Sequence, residues 1–232
     1  MKKFFLKNSF FYFFYKLLKI YRNSKSKIHF AEFGEDIFVR RFFKKFENGF
    51  YVDVGAYHPI KGSLTNDLYK NNWSGMNIDL SQISIDLFNL SRSRDINLKA
   101  AITDFDGKTF FYENSPINQQ NSLTESSDAK KIEIDCFKLN SVLQKYKIEK
   151  IDYLNIDVEG NEFQVISTFD FIQFNPTLVS IEFNDYDFDN LLNSNIYNLM
   201  KDNGYKLVAK FGVTCFYTKA DNVKKISNIM SV

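Results

Sequence analysis

Two acidic residues, each at the end of a short apolar run, are the strongest chemical signal in this sequence. Asp53 lies within residues 50–56, close to Gly55, and Asp79 directly follows residues 76–78. Glycine lets the backbone turn sharply and approach a ligand closely, and an acid at the end of a second strand can accept both hydroxyl groups of a ribose. These residues predict a bound cofactor that contains a nucleoside.

The residues after Gly55 indicate which cofactor this is. A dinucleotide site uses the pattern Gly-x-Gly-x-x-Gly, because the backbone and a helix N-terminus must hold a pyrophosphate. Here Gly55 is followed by Ala56, Tyr57, His58 and Pro59, so the second and third glycines are missing. A nucleoside cofactor without phosphate groups, such as S-adenosylmethionine, is therefore predicted in preference to a nicotinamide dinucleotide.

Alternating periodic segments predict the strands and helices that position these residues. Strands are predicted at 50–54, 76–79, 96–102, 109–112, 132–137, 151–156 and 178–183, with a terminal hairpin at 205–210 and 214–219. Helices are predicted at 31–46, from 63 or 65 to 71, and at 81–90, 140–146, 162–169 and 188–202, and residues 114–128 form the longest predicted loop. This alternation is typical of an α/β sheet with helices on both faces, where ligands bind beyond the carboxyl ends of the strands.

The net charge and the number of cysteines indicate which binding partners and which cellular compartment to expect. The net charge of +2 argues against a nucleic-acid-binding surface. The two cysteines, Cys136 and Cys215, are far apart and lack the spacing of a metal site. Two thiols in a chain of this size indicate a reducing compartment, and we expect a cytoplasmic protein.

Residues 1–27 are predicted to form an aromatic and basic helical extension, and residues 28–232 a single domain. The longest uncharged run in the extension, residues 8–15, is too short for a membrane span of about 20 residues. No small-residue cleavage site marks it as a signal peptide. We expect residues 1–22 to form either an in-plane helix at the inner face of the membrane or a helix that packs on the domain or on a partner.

Several motifs occur in the order found in one enzyme family. They are Phe33-Gly34-Glu35-Asp36, residues 49–56 with His58-Pro59, Ile78-Asp79, residues 101–107, Ser122-Leu123 and residues 151–162. With these motifs, about residues 30–185 resemble the FkbM-type methyltransferases, a branch of the class I S-adenosylmethionine-dependent methyltransferases. The resemblance implies a Rossmann-like, doubly wound, mostly parallel seven-stranded sheet with an antiparallel C-terminal hairpin strand. It also implies O-methylation of a hydroxyl group, often on a sugar or glycan.

The resemblance further implies which residues hold S-adenosylmethionine. Asp53 would bind the α-amino group of its methionine part, Gly55 would let the backbone pass close to the cofactor, and Asp79 would accept the ribose hydroxyls. The full predicted set is Glu35, Asp53, Gly55, Ala56, Asp79, Ala101, Ile102, Asp104 and Asp157, with residues 101–104 beside the adenine and Glu35 on a helix that covers the pocket.

A hydroxyl acceptor has to lose a proton during methyl transfer, which calls for a base. Asp157 and Glu159, after the strand at 151–156, are the acids expected nearest the transfer point. His58 is a further candidate, because an unperturbed imidazole titrates near neutral pH. Glu162 is three residues past Glu159, and the two are expected to share one face of a helix.

Asp157, Glu182 and Asn184 offer oxygen atoms at two adjacent strand ends, an arrangement that can hold Mg²⁺. The match is loose, so the sequence favours a site without a metal. Two other functions remain as alternatives. A nicotinamide-dependent oxidoreductase is disfavoured by the missing glycines, and a non-catalytic module of a membrane-associated glycan assembly is disfavoured by the intact acids.

Overall fold

The computed structural model describes residues 29–113, 123 and 130–223. The predicted extension at residues 1–27 lies outside the described residues, as does the predicted loop at 114–128 except for Leu123. In chain order the strands are β1 (Phe50–Val54), β2 (Ser74–Asp79), β3 (Ile96–Lys99), β4 (Ala101–Ile102), β5 (Gly107–Glu113), β6 (Lys130–Phe137), β7 (Tyr153–Ile156), β8 (Leu178–Glu182), β9 (Tyr205–Phe211) and β10 (Thr214–Lys219). The helices are α1 (Asp36–Phe42), α2 (Asn66–Lys70), α3 (Gln82–Ser91), α4 (Leu139–Lys145), α5 (Glu162–Ser167), α6 (Phe171–Phe174), α7 (Phe188–Asn193) and α8 (Asn195–Asp202).

The main sheet has seven strands in the order β3-β2-β1-β7-β8-β10-β9. The first five are parallel to their neighbours, and β10 pairs antiparallel with both β8 and β9. The predicted fold class, including the antiparallel hairpin strand, is confirmed. In the register, Val54 of β1 lies opposite Ile78 of β2 on one side and Ile156 of β7 on the other. The acids that follow these strands therefore meet at one edge of the sheet.

Alternate residues of each strand face two different apolar layers. Val52, Val54, Leu154 and Ile156 pack with helices α4, α5 and α8 on one face. On the other face, Tyr51 and Tyr153 pack with Phe38, Val39 and Phe42 of α1 and with Trp73. Strands that are buried on both faces consist of continuous apolar residues. For this reason the bounds predicted for β1, β7 and β8 lie within one or two residues of the observed ones.

A polar row crosses the second of these faces at a single register position. Asn97, Asn77, Asp53, Asn155 and Ser180 lie side by side on β3, β2, β1, β7 and β8. Hydrogen bonds link Asn77 to Asn97 at 2.8 Å, Asn155 to Asp53 at 2.9 Å and Ser180 to Asn155 at 2.5 Å. Since buried polar groups are stable only when their hydrogen bonds are satisfied, these bonds fix the register of β2 against β3 and that of β7 and β8 against Asp53 on β1.

The prediction of one strand at 96–102 is wrong. The chain leaves the main sheet after Lys99, and β4 joins a separate three-stranded sheet in the order β4-β6-β5. Ala101 pairs there with Cys136, and both residues belong to a small apolar cluster with Phe111 and Ile134. Burying the side chains of this second cluster stabilises the chain more than extending β3 along the main sheet would.

Two predicted helices also differ from the structure. The helix predicted at 31–46 is regular only from Asp36 to Phe42. The helix predicted at 188–202 is interrupted at Ser194, whose hydroxyl accepts a hydrogen bond from Tyr197 N at 3.1 Å and begins α8 as its N-cap. Within the described residues, no helix has the length and apolar character needed to cross a membrane.

Candidate active site

A cleft lies beyond the carboxyl ends of β1, β2 and β7. Nearly all of the residues that the sequence predicts for the cofactor and the chemistry line it. They are Glu35, Asp53, Gly55, Ala56, Asp79, Ala101, Ile102, Asp157 and Glu159. His58 and Asp104 are not part of its wall.

Asp79 lies at the end of β2 with its carboxylate fixed by the backbone. Its Oδ2 atom accepts a hydrogen bond from Tyr57 N at 2.8 Å, and its Oδ1 atom accepts one from Ser81 N at 2.7 Å. Burial raises the pKa of Asp79, and these backbone bonds act against that rise. The Ser84 side chain also hydrogen-bonds to this carboxylate, which lines the cleft and could accept from the hydroxyls of a ribose.

Asp53 lies deeper, at the centre of the polar row. Its Oδ1 atom accepts from Asn155, and its Oδ2 atom accepts from the Thr65 hydroxyl at 2.8 Å. Burial raises the pKa of Asp53, and the bonds from Asn155 and Thr65 oppose the rise. Glu35 lines the cleft from the turn before α1, held by a bond from Phe33 N at 2.8 Å. Both carboxylates therefore belong to the cleft wall, where the α-amino group of a methionine would need an anionic partner.

Arg92 supports the part of the cleft around Asp53 and was not predicted from the sequence. The residue is 1% exposed at the C-terminus of α3. Its guanidinium group donates to Thr65 Oγ1 at 2.7 Å, to Ser63 Oγ at 2.8 Å and to the Pro59 carbonyl. Thr65 in turn donates to Asp53, so a buried chain of hydrogen bonds runs from α3 to the cleft. An arginine at the end of a predicted helix has no sequence signal that separates this role from a solvated one.

Gly55 forms the turn between β1 and the cleft. Its φ angle is +82°, and the N–H groups of Gly55 and Ala56 both donate to Ile78 O, at 2.9 and 3.1 Å. A Cβ atom at this position would overlap the main-chain oxygen of Asp157. The requirement for glycine thus comes from the approach of two protein strands, in addition to any approach of a cofactor.

The wall of the cleft beyond the ends of β2 and β3 is apolar. Leu80, Ala100, Ala101, Ile102 and Leu123 line it, and this wall suits the faces of an adenine ring. The side chain of Asp104, predicted to lie beside the adenine, is exposed outside the wall.

Three carboxylates lie together at the ends of β7 and β8; Asp157 and Glu159 line the cleft, and Glu182 lies beside them. Ligand oxygens of Asp157, Glu159 and Glu182 all lie within 4.8 Å of one another. Burial, and after it the neighbouring carboxylates, raise the pKa of Glu182 to about 7 and that of Asp157 well above its usual range. The side chain of Asp157 is accessible to solvent from the cleft. Protein surrounds its carboxyl group on the other sides, and this burial is the largest cause of its raised pKa.

Glu159 reaches this group from an unusual backbone conformation. Its φ angle is +56°, in the left-handed region, and it precedes α5, so the expectation that it shares a helical face with Glu162 is wrong. Glu162 accepts instead from Val158 N at 3.2 Å and from Gly160 N at 2.9 Å and holds the turn that carries Glu159. A non-glycine residue in this region costs about 1–2 kcal/mol, which the bonds from the turn to Glu162 help to offset.

His58 has a local role in the structure. Its Nδ1 atom accepts hydrogen bonds from Ile60 N at 3.0 Å and Lys61 N at 2.9 Å. Partial burial, Lys61 and Arg92 lower its pKa. Because the ring stabilises a turn outside the cleft wall, its position does not favour the role of catalytic base.

The donor set of the cleft fits an uncharged nucleoside joined to an amino acid. Acids lie on β1, at the end of β2 and beyond the end of β7, apolar residues lie on the β3 side, and the described residues of the cleft wall include no lysine or arginine. A pyrophosphate would meet these acids without a compensating cation. The cleft therefore fits S-adenosylmethionine better than a dinucleotide.

The chain matches the sequence model of one protein family. The sequence model of the FkbM methyltransferase domain matches residues 53–207. Among solved structures, the chain is similar to a TehB-like SAM-dependent methyltransferase from Corynebacterium glutamicum, at 11% sequence identity and a TM-score of 0.44, over 89% of this chain and 96% of that one. The search of curated proteins found no match.

Proposed function

Because the chain belongs to the FkbM methyltransferase family, we propose that it transfers a methyl group from S-adenosylmethionine to a hydroxyl group of a sugar or glycan-type acceptor. Family membership makes the chain an S-adenosylmethionine-dependent methyltransferase and removes the oxidoreductase and the non-catalytic module as alternatives. The acceptor class is the proposed part. The observation that supports it is the acidic group of Asp157, Glu159 and Glu182, the first two of which line the cleft together with residues that suit the cofactor.

S-adenosylmethionine, when bound, supplies a methyl group on a sulfonium, so that the new O–C bond forms as the C–S bond breaks and the electron pair of that bond stays on sulfur. The donor is already activated, and the main tasks of the protein are to align the acceptor and to remove its proton. Asp79 would hold the ribose of the donor, and Asp53 would hold its amino acid part. The group of Asp157, Glu159 and Glu182 lies where the acceptor hydroxyl must be held and ionised.

A hydroxyl acceptor suits this end of the cleft for a simple reason. Ionised carboxylates only accept hydrogen bonds, and sugar hydroxyls are donors as well as acceptors. Several carboxylates at one place can orient more than one hydroxyl of a polyol. An anionic group placed directly at these carboxylates would be repelled, so the group that is methylated should be a neutral hydroxyl.

Transfer of labelled methyl groups tests the proposed acceptor class. The purified chain is incubated with methyl-labelled S-adenosylmethionine and with separate pools of sugar nucleotides, oligosaccharides, proteins and nucleic acids. Label in a saccharide that survives mild base is expected, because methyl ethers resist the base that hydrolyses methyl esters. Label found only in esters, in protein or in nucleic acid would contradict the proposal. The Asp79→Ala variant serves as the enzyme control.

The acidic group is tested by Glu159→Gln, which keeps the shape of the side chain and removes its charge. Turnover should fall by about 10²-fold or more, while affinity for S-adenosylhomocysteine changes little. Glu162→Gln is the matched control, because glutamine can still accept from Val158 N and Gly160 N. Equal turnover in Glu159→Gln and wild type would remove Glu159 from the mechanism.

We also propose that the enzyme acts in the cytoplasm, with residues 1–22 at the inner face of the membrane. The support is compositional, namely the aromatic and basic residues of that segment. Sedimentation with anionic liposomes should be seen for the full chain and lost when residues 1–22 are deleted. A full chain that stays in the supernatant would favour packing on the domain or a partner.

A further inference from the structure

The carboxylates of Asp157, Glu159 and Glu182 have no cationic partner among the described residues. They come from the end of β7, from the loop after it and from the end of the neighbouring strand β8, and their ligand oxygens lie within 4.8 Å of one another. The ion pairs of the described residues are Arg40–Asp67, Lys108–Glu133 and Lys150–Asp152, all elsewhere. Lys210 of β9 donates to the main-chain oxygen of Phe183, the residue after Glu182, at 3.1 Å.

Glu182 adds an independent observation. The residue is 8% exposed, and its Oε2 atom is buried with no hydrogen-bond donor in reach. Leaving a buried carboxylate oxygen without a partner is costly, and native proteins rarely do so without a bound ion or water. The other contacts of the Glu182 side chain are to Asp157, itself an acid, and to Asn184. The unpartnered oxygen belongs to the same side chain that contributes a ligand atom to the acidic group.

We propose that Asp157, Glu159 and Glu182 bind a divalent, oxygen-preferring cation of the Mg²⁺ type. The ligands are all carboxylates, with no histidine or cysteine among them, and hard cations prefer oxygen ligands of this kind. Three protein ligands leave several coordination positions for water and for the oxygens of an acceptor. The sequence suggested Asp157, Glu182 and Asn184 as ligands and did not favour them; the group in the structure has Glu159 in place of Asn184, and the orphaned oxygen of Glu182 is visible only in the fold.

The role of the cation rests on the proposed function, whereas its binding does not. A sugar with adjacent hydroxyls could displace two waters and chelate the cation beside the donor. The bound hydroxyl would then have a lowered pKa, and its proton would pass to water on the open side of the cleft. The cation would in this way both orient the acceptor and supply the ionised oxygen.

Binding of Mn²⁺ tests the site without any acceptor. The full-length protein is freed of metal with a chelator, which is then removed, and loss of the electron paramagnetic resonance signal of free Mn²⁺ is followed by titration. Wild type should bind one ion with a dissociation constant below about 1 mM. Glu182→Gln and Glu159→Gln should each weaken binding by about tenfold or more, because each removes one charged ligand.

Asp185→Asn is the matched control, since it removes one negative charge three residues from Glu182. The Asp185 carboxylate is occupied by Asp187 N at 2.8 Å and Asn190 Nδ2 at 2.7 Å. Its affinity for Mn²⁺ should stay within about twofold of wild type. Added Mg²⁺ should also raise the melting temperature of the wild type and leave that of Glu182→Gln unchanged.

Two results would overturn the proposal. One is an unchanged free Mn²⁺ signal with wild-type protein at millimolar metal, which would leave Asp157 and Glu182 as an acid pair that shares a proton. The other is equal binding by wild type, Glu182→Gln and Glu159→Gln, which would put the ion elsewhere. Calorimetric binding of S-adenosylhomocysteine in chelator is measured in parallel. Its loss would contradict the cofactor site, whereas its retention without Mn²⁺ binding would contradict the metal site alone.

Discussion

The main-chain oxygen of Asp157 occupies the space that a Cβ atom on residue 55 would need. Asp157 N also donates to Val54 O at 2.9 Å, so β1 and β7 are joined at the point where both enter the cleft. The same glycine that the sequence assigns to passage of the cofactor is thus required by contact within the protein. A change at residue 55 should therefore affect the fold before it affects the ligand.

Gly55→Ala should lower the free energy of unfolding by clearly more than Gly204→Ala. Both glycines have similar backbone conformations, with φ of +82° and +78°, so alanine pays about the same 1–2 kcal/mol for the left-handed region at each. A Cβ atom at Gly204 has only the flexible end of Lys219 nearby, at 3.9 Å, whereas at Gly55 it meets backbone. Urea denaturation in the absence of ligand measures the difference. Equal losses in the two variants would show that the strands separate without cost.

Asp79→Ala should weaken binding of S-adenosylhomocysteine by about 2–4 kcal/mol, because two charge-assisted hydrogen bonds to the ribose are lost. Calorimetry gives the affinity, and circular dichroism checks that loss of the bonds from Tyr57 N and Ser81 N has not unfolded the turn. Asp104→Asn is the control, since Asp104 lies outside the cleft wall. Full affinity in Asp79→Ala, or a comparable loss in Asp104→Asn, would reverse the assignment of the two acids.

Arg92→Met should reduce affinity for S-adenosylhomocysteine although Arg92 lies behind the cleft wall. The guanidinium group orients Thr65, and Thr65 orients the Asp53 carboxylate. If Arg92→Met only lowered the stability of the fold, its effect on binding would be the same with or without Thr65. A double-mutant cycle with Thr65→Val tests this. The binding losses of the two changes should be clearly less than additive, because both break one chain. Additive losses would mean that Arg92 acts only on the fold.

Asp95 should make stability fall as pH rises through the acidic range. It accepts hydrogen bonds from Tyr51, from Asn77 at 3.0 Å and from Gly75 N at 2.9 Å, and burial raises its pKa above 3.8. Between 3.8 and the raised value, the folded state binds more protons than the unfolded state, so ionisation of Asp95 costs stability as pH increases.

The difference in unfolding free energy between Asp95→Asn and wild type, measured from about pH 4 upward, isolates this group, since the other acids are common to both proteins. The difference should shift in favour of Asp95→Asn as pH rises. A constant difference across this range would show that the nearby Arg92 holds the pKa of Asp95 at its ordinary value.

Local patterns in the sequence determined the elements and the chemistry at their ends. Buried parallel strands are apolar on both faces, so β1, β7 and β8 stand out as continuous runs. Ser81 begins α3, as predicted, because its hydroxyl accepts a hydrogen bond from Ser84 N at 3.4 Å. The acids at strand ends follow directly from these assignments, and for that reason Asp53, Asp79, Asp157 and Glu159 were predicted to lie at the cleft.

Only the tertiary structure decided which side chains support that chemistry. Asp53 and Asn155 are 102 residues apart, and their bond depends on β1 and β7 being neighbours in one register. Three other features also depend on contacts between residues that are distant in sequence. They are the burial of Arg92, the unpartnered oxygen of Glu182 and the exit of the chain from the main sheet after Lys99. Periodicity along the chain records how each residue is buried within its own element. Strand order and register, which bring distant residues into contact, are set by how all of the elements pack together.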